Sequence, residues 1–348
     1  MLPLPRLTPA WVIPETEDGT TGSADDFVRR LNDRRWSVAI LGSDILSPGQ
    51  DLAFLDLEAD CRPADHELPP VFEAAKKYGI PLLLRGSASH SAIRDLRPQP
   101  VLPERLFQWW GPERMDEELI RNVPPLTITR VTAGARWAMV ETEETVGLAA
   151  MPLLASGSAP DAPVTLREDY VGAPLSALAG GLRMAAGIER SLACAAANAG
   201  HRPPVAGTVS DGLLPEPGAG TERTVIVGRF PELARKRPGA IVLEKHPGPD
   251  DLPSDAAPYV IPGAEHFVVT ASAWSNGTLA GLLRLATGSR VTLVGPGAPL
   301  APALHAYGIH RLAGFIVGDR EKTREIIAEG GGVKAFKPYG RQIMLSEE

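Results

Sequence analysis

The stretch TVIVGRFPELARKRPGAIVLEKHPG, residues 224–248, decides the fold. It holds two short apolar runs, Val225–Val227 and Ile241–Leu243, each followed by a polar or glycine-bearing loop. Short β-branched runs bounded by turn residues read as buried strands. Further strands read at Phe267–Thr270, Val291–Val294 and Leu312–Val317. Helices read at Leu279–Leu285, Pro302–Tyr307 and Asp319–Ala328, and Gly330-Gly331-Gly332 stops the last one. Ile343–Leu345 can add an edge strand. Such alternation describes a parallel sheet covered by helices. The expected fold class is α/β, with a Rossmann-like doubly wound domain over residues 206–348.

Toward the N-terminus the period changes. Leu126–Val131, Ala135–Glu141 and Thr145–Met151 read as strands of an antiparallel meander, with Gly134 and Glu143-Glu144 in the turns. Helices follow from Pro174 to Leu182 and from Ile188 to Ala199. The run SLACAAANA in the second is built of small residues and predicts close packing on a neighbour. Residues 125–205 are therefore expected to form an α+β module. Pro203 to Gly220, rich in Pro and Gly, reads as a flexible linker or loop. Pro124-Pro125 reads as a domain boundary, and Leu126 onward is expected to fold without what precedes it. Residues 1–124 read as an extra small α/β segment. Its helices fall at Ala24–Arg35, Pro69–Tyr78 and Met115–Arg121, and its strands at Trp36–Leu41 and Ile80–Leu84.

Composition limits the partners. The chain has 348 residues, 44% of them hydrophobic and 22% charged, enough for a large core. Lys+Arg is 35 and Asp+Glu is 42, so the net charge is 35 − 42 = −7. That balance argues against nucleic acid and against a polybasic membrane anchor. Neither a leader peptide nor a spanning run is visible, so the expected compartment is the cytoplasm. Two cysteines, Cys61 and Cys194, cannot make a disulfide scaffold or a four-cysteine zinc site. Cys61 with His66, His305 with His310, and Glu244 with His246 are weak metal-ligand spacings, and each histidine reads first as a surface or hydrogen-bonded residue.

Ligands of open α/β sheets bind outside the carboxyl ends of the strands. That edge would carry Gly228–Pro231, Glu244–His246, Thr270 with Ser272, Ser275–Thr278 and Gly295–Pro299. Glu244 stands where a dinucleotide-binding domain keeps its ribose-binding acid, but the first loop reads V-G-R-F-P in place of G-x-G-x-x-G. A solvated carboxylate beside Lys245 is the plain reading of Glu244. Asn276 or Thr278 can cap the helix that follows, whose amides can also bind an anion.

From Leu126 to Leu345 the chain resembles the putative heavy-metal chelation family, in which a cap like the N-terminal domain of enolase precedes a Rossmann-like domain. The resemblance rests on ETVGLAAMP (144–152), VGAPLSALAGGL (171–182), IERSLACAAANA (188–199), VGRFPEL (227–233), VLEKHPG (242–248), SNGTLAGLL (275–283), LVGPGAPLAPALHAYGI (293–309), LAGFIVGD (312–319) and EGGGVKAFKPYGRQIML (329–345). It implies a site between cap and Rossmann-like domain for a small molecule or a metal complex. Carried onto this sequence, the site comprises Asn198, Arg229, Phe230, Glu244, Asn276, Thr278 and the Gly295–Pro299 loop with Gly295 and Gly297. The family usually has hydroxyl residues in that loop, and Gly297-Ala298 leaves only backbone contacts here. A metal ion is the one cofactor the resemblance implies. The alternative is an enzyme with a nucleotide or S-adenosylmethionine-like cofactor on the same edge. Whether a reaction is catalysed, and whether the chain forms a homo-oligomer, stay open at the level of sequence.

Overall fold

The computed structural model describes residues 10–12, 28–29, 31, 36–41, 46–48, 50–57, 64, 66–85, 96, 99–101, 114–152, 170–201, 208–210, 212–213 and 223–347. The chain divides into two units, residues 1–110 and 111–348.

In the first unit the described strands are β1 (Ala10–Val12), β2 (Val38–Ile40), β3 (Leu52–Asp56), β4 (Leu82–Arg85) and β5 (Gln99–Val101). They pair in parallel in the order β2-β3-β4-β1-β5. Leu82, Leu83 and Leu84 in succession are buried, as a strand covered on both faces requires. Helix α1 (Leu68–Tyr78) starts on prolines and ends at Gly79, whose φ of 66° closes the last turn. The sequence reading did not include the β3 run, which acidic residues flank on both sides. Of the helix expected over 24–35, Val28, Arg29 and Leu31 are helical and the rest lies outside the described residues. Cys61 also lies outside them, so its pairing with His66 is not addressed.

The second unit opens with α2 (Arg114–Asn122). The meander follows as expected, with β6 (Arg130–Ala133), β7 (Trp137–Glu141) and β8 (Val146–Ala150) antiparallel in that order. Helix α3 (Leu175–Ala179) runs into a 3-10 turn, and α4 (Ile188–Gly200) is buried along nearly its whole length. Its small side chains let β8 come very close. A Cβ on Gly147 would overlap the Ala195 carbonyl oxygen and the Ala199 amide nitrogen.

Next come β9 (Thr208–Val209), β10 (Thr224–Val227), α5 (Leu233–Lys236), β11 (Ile241–Glu244), β12 (Leu252–Pro253) and α6 (Ala257–Val260). The chain continues through β13 (His266–Thr270), α7 (Ser272–Ser275), α8 (Leu279–Leu285), β14 (Arg290–Val294) and β15 (Ile309–Val317). It ends in α9 (Arg320–Ala328), α10 (Val333–Phe336) and β16 (Gly340–Ser346). The eight strands pair in the order β12-β11-β10-β13-β14-β15-β16-β9. The first six are parallel; β16 and β9 are each antiparallel to their neighbour. The order turns back at β10, so the ends of β10 and β13 flank the switch point.

Three expectations need correction. The stretch 203–220 is not simply a linker: Thr208–Val209 extends the sheet as β9, and Leu213 is buried with Ile226, Val268 and Ala313. Pro302–Tyr307 is a 3-10 helix, not an α-helix. Helix α2, left in the first segment by the sequence reading, belongs to the second unit.

Cap and sheet domain share one core. Met139 and Leu148 from the meander pack with Ile327 and Phe336, and Trp137 meets Phe336 edge-on at 5.3 Å. Arg324 forms a two-pronged ion pair with buried Glu141 at 2.9 and 3.1 Å. Arg320 donates to the carbonyls of Thr142, Glu143 and Glu144 in the β7–β8 turn.

Candidate functional site

Every parallel strand of the large sheet ends on one edge, and the residues expected there are found there. The edge has a covered half and an open half.

The covered half lies past β13 and β14. Gly295 takes φ 131°, its amide donates to Ala313 O, and the Ala298 amide turns back to Gly295 O. Gly297, Ala298, Pro299 and Leu300 are buried. A Cβ on Gly297 would stand 3.3 Å from Ala149 Cα, so this loop is pressed against β8. Asn198 on α4 spends both amide hydrogens here, donating to Leu148 O at 2.7 Å and to Gly297 O at 2.9 Å. Asn198 thus ties cap to loop. Asn276 and Thr278 form a local turn: Asn276 Oδ1 accepts from the Thr278 amide at 3.1 Å and its hydroxyl at 2.7 Å. Thr278 is the N-cap of α8, and its side chain makes no cap bond. Between them Gly277, at φ 77°, lies against the Ala185 carbonyl of the cap.

The open half lies past β10 and β11. Gly228 adopts φ 107°, and a Cβ there would stand 2.9 Å from Thr270 Cβ. Backbone therefore meets Thr270 across the switch point, which is why this position takes a glycine. The Arg229 side chain is 58% exposed and pairs with Asp251, which also accepts the Gly248 amide. Those two contacts hold the Asp251 carboxyl below its ordinary range, the amide bond contributing most. Phe230 is half-buried and packs on the Ile226 and Val268 core. Glu244 is half-buried, and its Oε2 accepts the Lys245 amide at 3.2 Å. Lys245 and His246 are exposed. Glu244 and Asn276 are each engaged within their own turns.

A further cluster was not legible in the sequence. Arg190 on α4 is 5% exposed; its Nε donates to Trp274 O at 3.0 Å, and it also reaches the carbonyls of Leu182 and Met184. It pairs with Asp116 at 2.8 Å, and the Trp274 indole N–H donates to the same carboxylate at 2.8 Å. Burial raises the Asp116 pKa, with Arg190 and Trp274 pulling it back down. Burial also pushes the Cys194 thiol well up, so it stays an inert packing residue. These residues come from three distant stretches, and no local pattern joins them.

Among the described residues no three His, Cys, Asp or Glu side chains come together to hold a metal ion. His305 and His310 serve the backbone instead, His305 Nδ1 meeting Ile309 O at 2.6 Å and His310 Nδ1 accepting the Val291 amide at 3.0 Å. No helix among the described residues is long and apolar enough to cross a membrane.

Two family models match the chain, both described as putative heavy-metal chelation, over residues 116–200 and 216–346. No curated protein matches it. A solved protein of unknown function from Desulfitobacterium hafniense is 25% identical, with a TM-score of 0.59 over 67% of this chain and 97% of its own. Another, from Pyrococcus horikoshii, is 20% identical, with a TM-score of 0.54 over 68% of this chain and 99% of its own, and shows the fold alone. Both are assigned to the family of the second model. The alternative reading, an enzyme with a nucleotide or S-adenosylmethionine-like cofactor, gains no support from these matches.

Proposed function

Because the chain belongs to the putative heavy-metal chelation family through its second unit, we propose that it binds a small molecule or metal complex on the sheet edge beside the cap. One observation carries the placement. The cap closes the ends of β13 and β14 but leaves those of β10 and β11 exposed, with Arg229, Glu244, Lys245 and His246.

The chemistry of that half is mixed. Arg229, Lys245 and His246 suit carboxylate or phosphate groups, and Glu244 suits a cation or hydroxyls. Among the described residues, ligand-bearing side chains do not converge there in a set that would hold a bare ion. The reading that fits is a metal carried in by its own organic ligands, with the protein recognising the complex. Asn198 then positions the cap on the Gly295–Pro299 loop through both of its amide hydrogens.

Native mass spectrometry with elemental analysis of freshly purified protein tests this reading. A bound small molecule, with or without metal, is expected. With that molecule in hand, Glu244→Gln should weaken binding by about 1.5–3 kcal/mol, roughly ten- to a hundredfold, if the carboxylate meets a cation. Unchanged affinity in Glu244→Gln and in Arg229→Gln would move the site off this edge.

A further inference from the structure

We propose that His310 is a proton-sensitive joint of the large sheet: its neutral ring stands in for a backbone carbonyl between β14 and β15, and mild acid opens the start of that pairing. The joint lies at the amino ends of these strands, away from the carboxyl edge, and does not rest on the reading above.

The placement comes from register. Val291 pairs with Ile309, and the next residue of β14, Thr292, pairs with Arg311. His310 is therefore the extra residue of a bulge, an irregularity that is rare between parallel strands and disrupts the ladder where it sits. Here a side chain fills the gap: the Val291 amide donates to His310 Nδ1 at 3.0 Å. The preceding amide, that of Arg290, turns the other way and donates to Glu265 O, so the Val291 amide points to β15. Val291 and Ile309 are both buried, and an amide between buried side chains needs such a partner. Two further elements are tied to the same step. His305 of the 3-10 helix Pro302–Tyr307 meets Ile309 O through its Nδ1 at 2.6 Å, and His310 O accepts the Glu347 amide just past β16 at 2.9 Å.

An imidazole nitrogen accepts a hydrogen bond only while it carries no proton. The bond to Val291 therefore fixes the neutral ring with its hydrogen on Nε2, and a protonated ring would set Nδ1–H against the Val291 N–H. Burial acts most strongly to keep the ring neutral; Arg290 at the start of β14 and His305 from the 3-10 helix act in the same sense. Glu347 and the Gly308 carbonyl favour the proton. The balance holds the folded-state pKa below the ordinary 6.5. Opening the joint returns the ring to water and to its ordinary value. Below that value each further pH unit raises the ratio of open to closed by up to about tenfold, until the folded-state pKa is reached.

The test is amide hydrogen exchange of the full chain, read at Val291 by nuclear magnetic resonance between about pH 7.5 and 5.5 and corrected for the pH dependence of free amides. Relative to the amides of β10, protection at Val291 should fall with pH by up to about tenfold per unit. His310→Asn keeps an oxygen acceptor in the place of Nδ1 and cannot titrate, so its protection should stay level across the range. Glu347→Gln removes the charge that favours the proton. It should move the onset to lower pH and leave protection at the upper end unchanged, a shift that a merely structural histidine would not show. His310→Ala should lose protection at every pH; if it does not fold, His310→Asn decides. Level protection in the native chain over this range, or a fall that persists in His310→Asn, would overturn the proposal.

Discussion

At the scale of single residues, buried charges set the largest sensitivities. Arg190 binds three carbonyls and one carboxylate from inside the core. Arg190→Met removes every one of those donors and leaves Asp116 with only the Trp274 N–H among these partners. Breaking such a pair costs about 3–5 kcal/mol, which urea denaturation should read directly. Histidines set the pH response. Burial lowers the pKa of His310 and of His201 below the ordinary 6.5. In the unfolded chain each ring takes a proton near pH 6.5; in the folded chain it resists to lower pH. Their contribution is therefore complete above about pH 6.5 and is lost as pH falls toward the folded-state values. Asp116 acts oppositely. Its raised pKa gives stability below 3.8 that fades as pH rises through its folded value. Denaturation midpoints should thus fall between pH 7.5 and 5.5, and His310→Gln should shrink that fall. Equal midpoints in the native chain would contradict this account.

Elements are joined through close backbone approaches and two arginines. The contact of β8 on α4 requires Gly147, because a methyl group there would meet helix backbone that cannot turn aside. Gly147→Ala should cost about 3 kcal/mol, the upper end of ordinary overpacking, and lower Tm accordingly. The β7–β8 hairpin is held to α9 by Arg320 and Arg324. Arg324→Ala strands the buried Glu141 carboxylate, so it should destabilise by about 3–5 kcal/mol. Arg320→Ala removes bonds from turn carbonyls, those of Glu143 and Glu144 exposed to water. Its cost should stay near 1 kcal/mol, with faster amide exchange confined to residues 142–145.

For the whole molecule, the decisive element is α2. Met115, Glu118, Leu119 and Ile120 are buried, and Tyr307 donates its hydroxyl to Glu118 at 3.0 Å. Asp116 joins Arg190 to Trp274. A chain starting at Gly111 should therefore fold as a cooperative unit. One starting at Leu126 should lose solubility, because it uncovers Trp274 and leaves Arg190 without its carboxylate. Comparable Tm values for the two would place the boundary at Pro124-Pro125 after all.

Local chemistry by itself determined the strands of the large sheet, the meander and the stops at Gly79 and Gly330. Each follows from an apolar run or from a turn residue acting over a few neighbours. The small-residue run of α4 likewise announced close packing, though not that Gly147 was its partner. Sequence placed Arg229, Glu244 and the Gly295–Pro299 loop on the carboxyl edge, because strand ends follow from strand positions. Only the tertiary structure decided which half of that edge the cap covers. Asn198 and Gly297 are 99 positions apart, and nothing near either encodes the other. The same holds for Asp116, Arg190 and Trp274, and for the His310 ring against the Val291 amide. A buried ion pair or a switch point arises where distant segments meet, so its energy and geometry are properties of the folded chain rather than of any stretch within it.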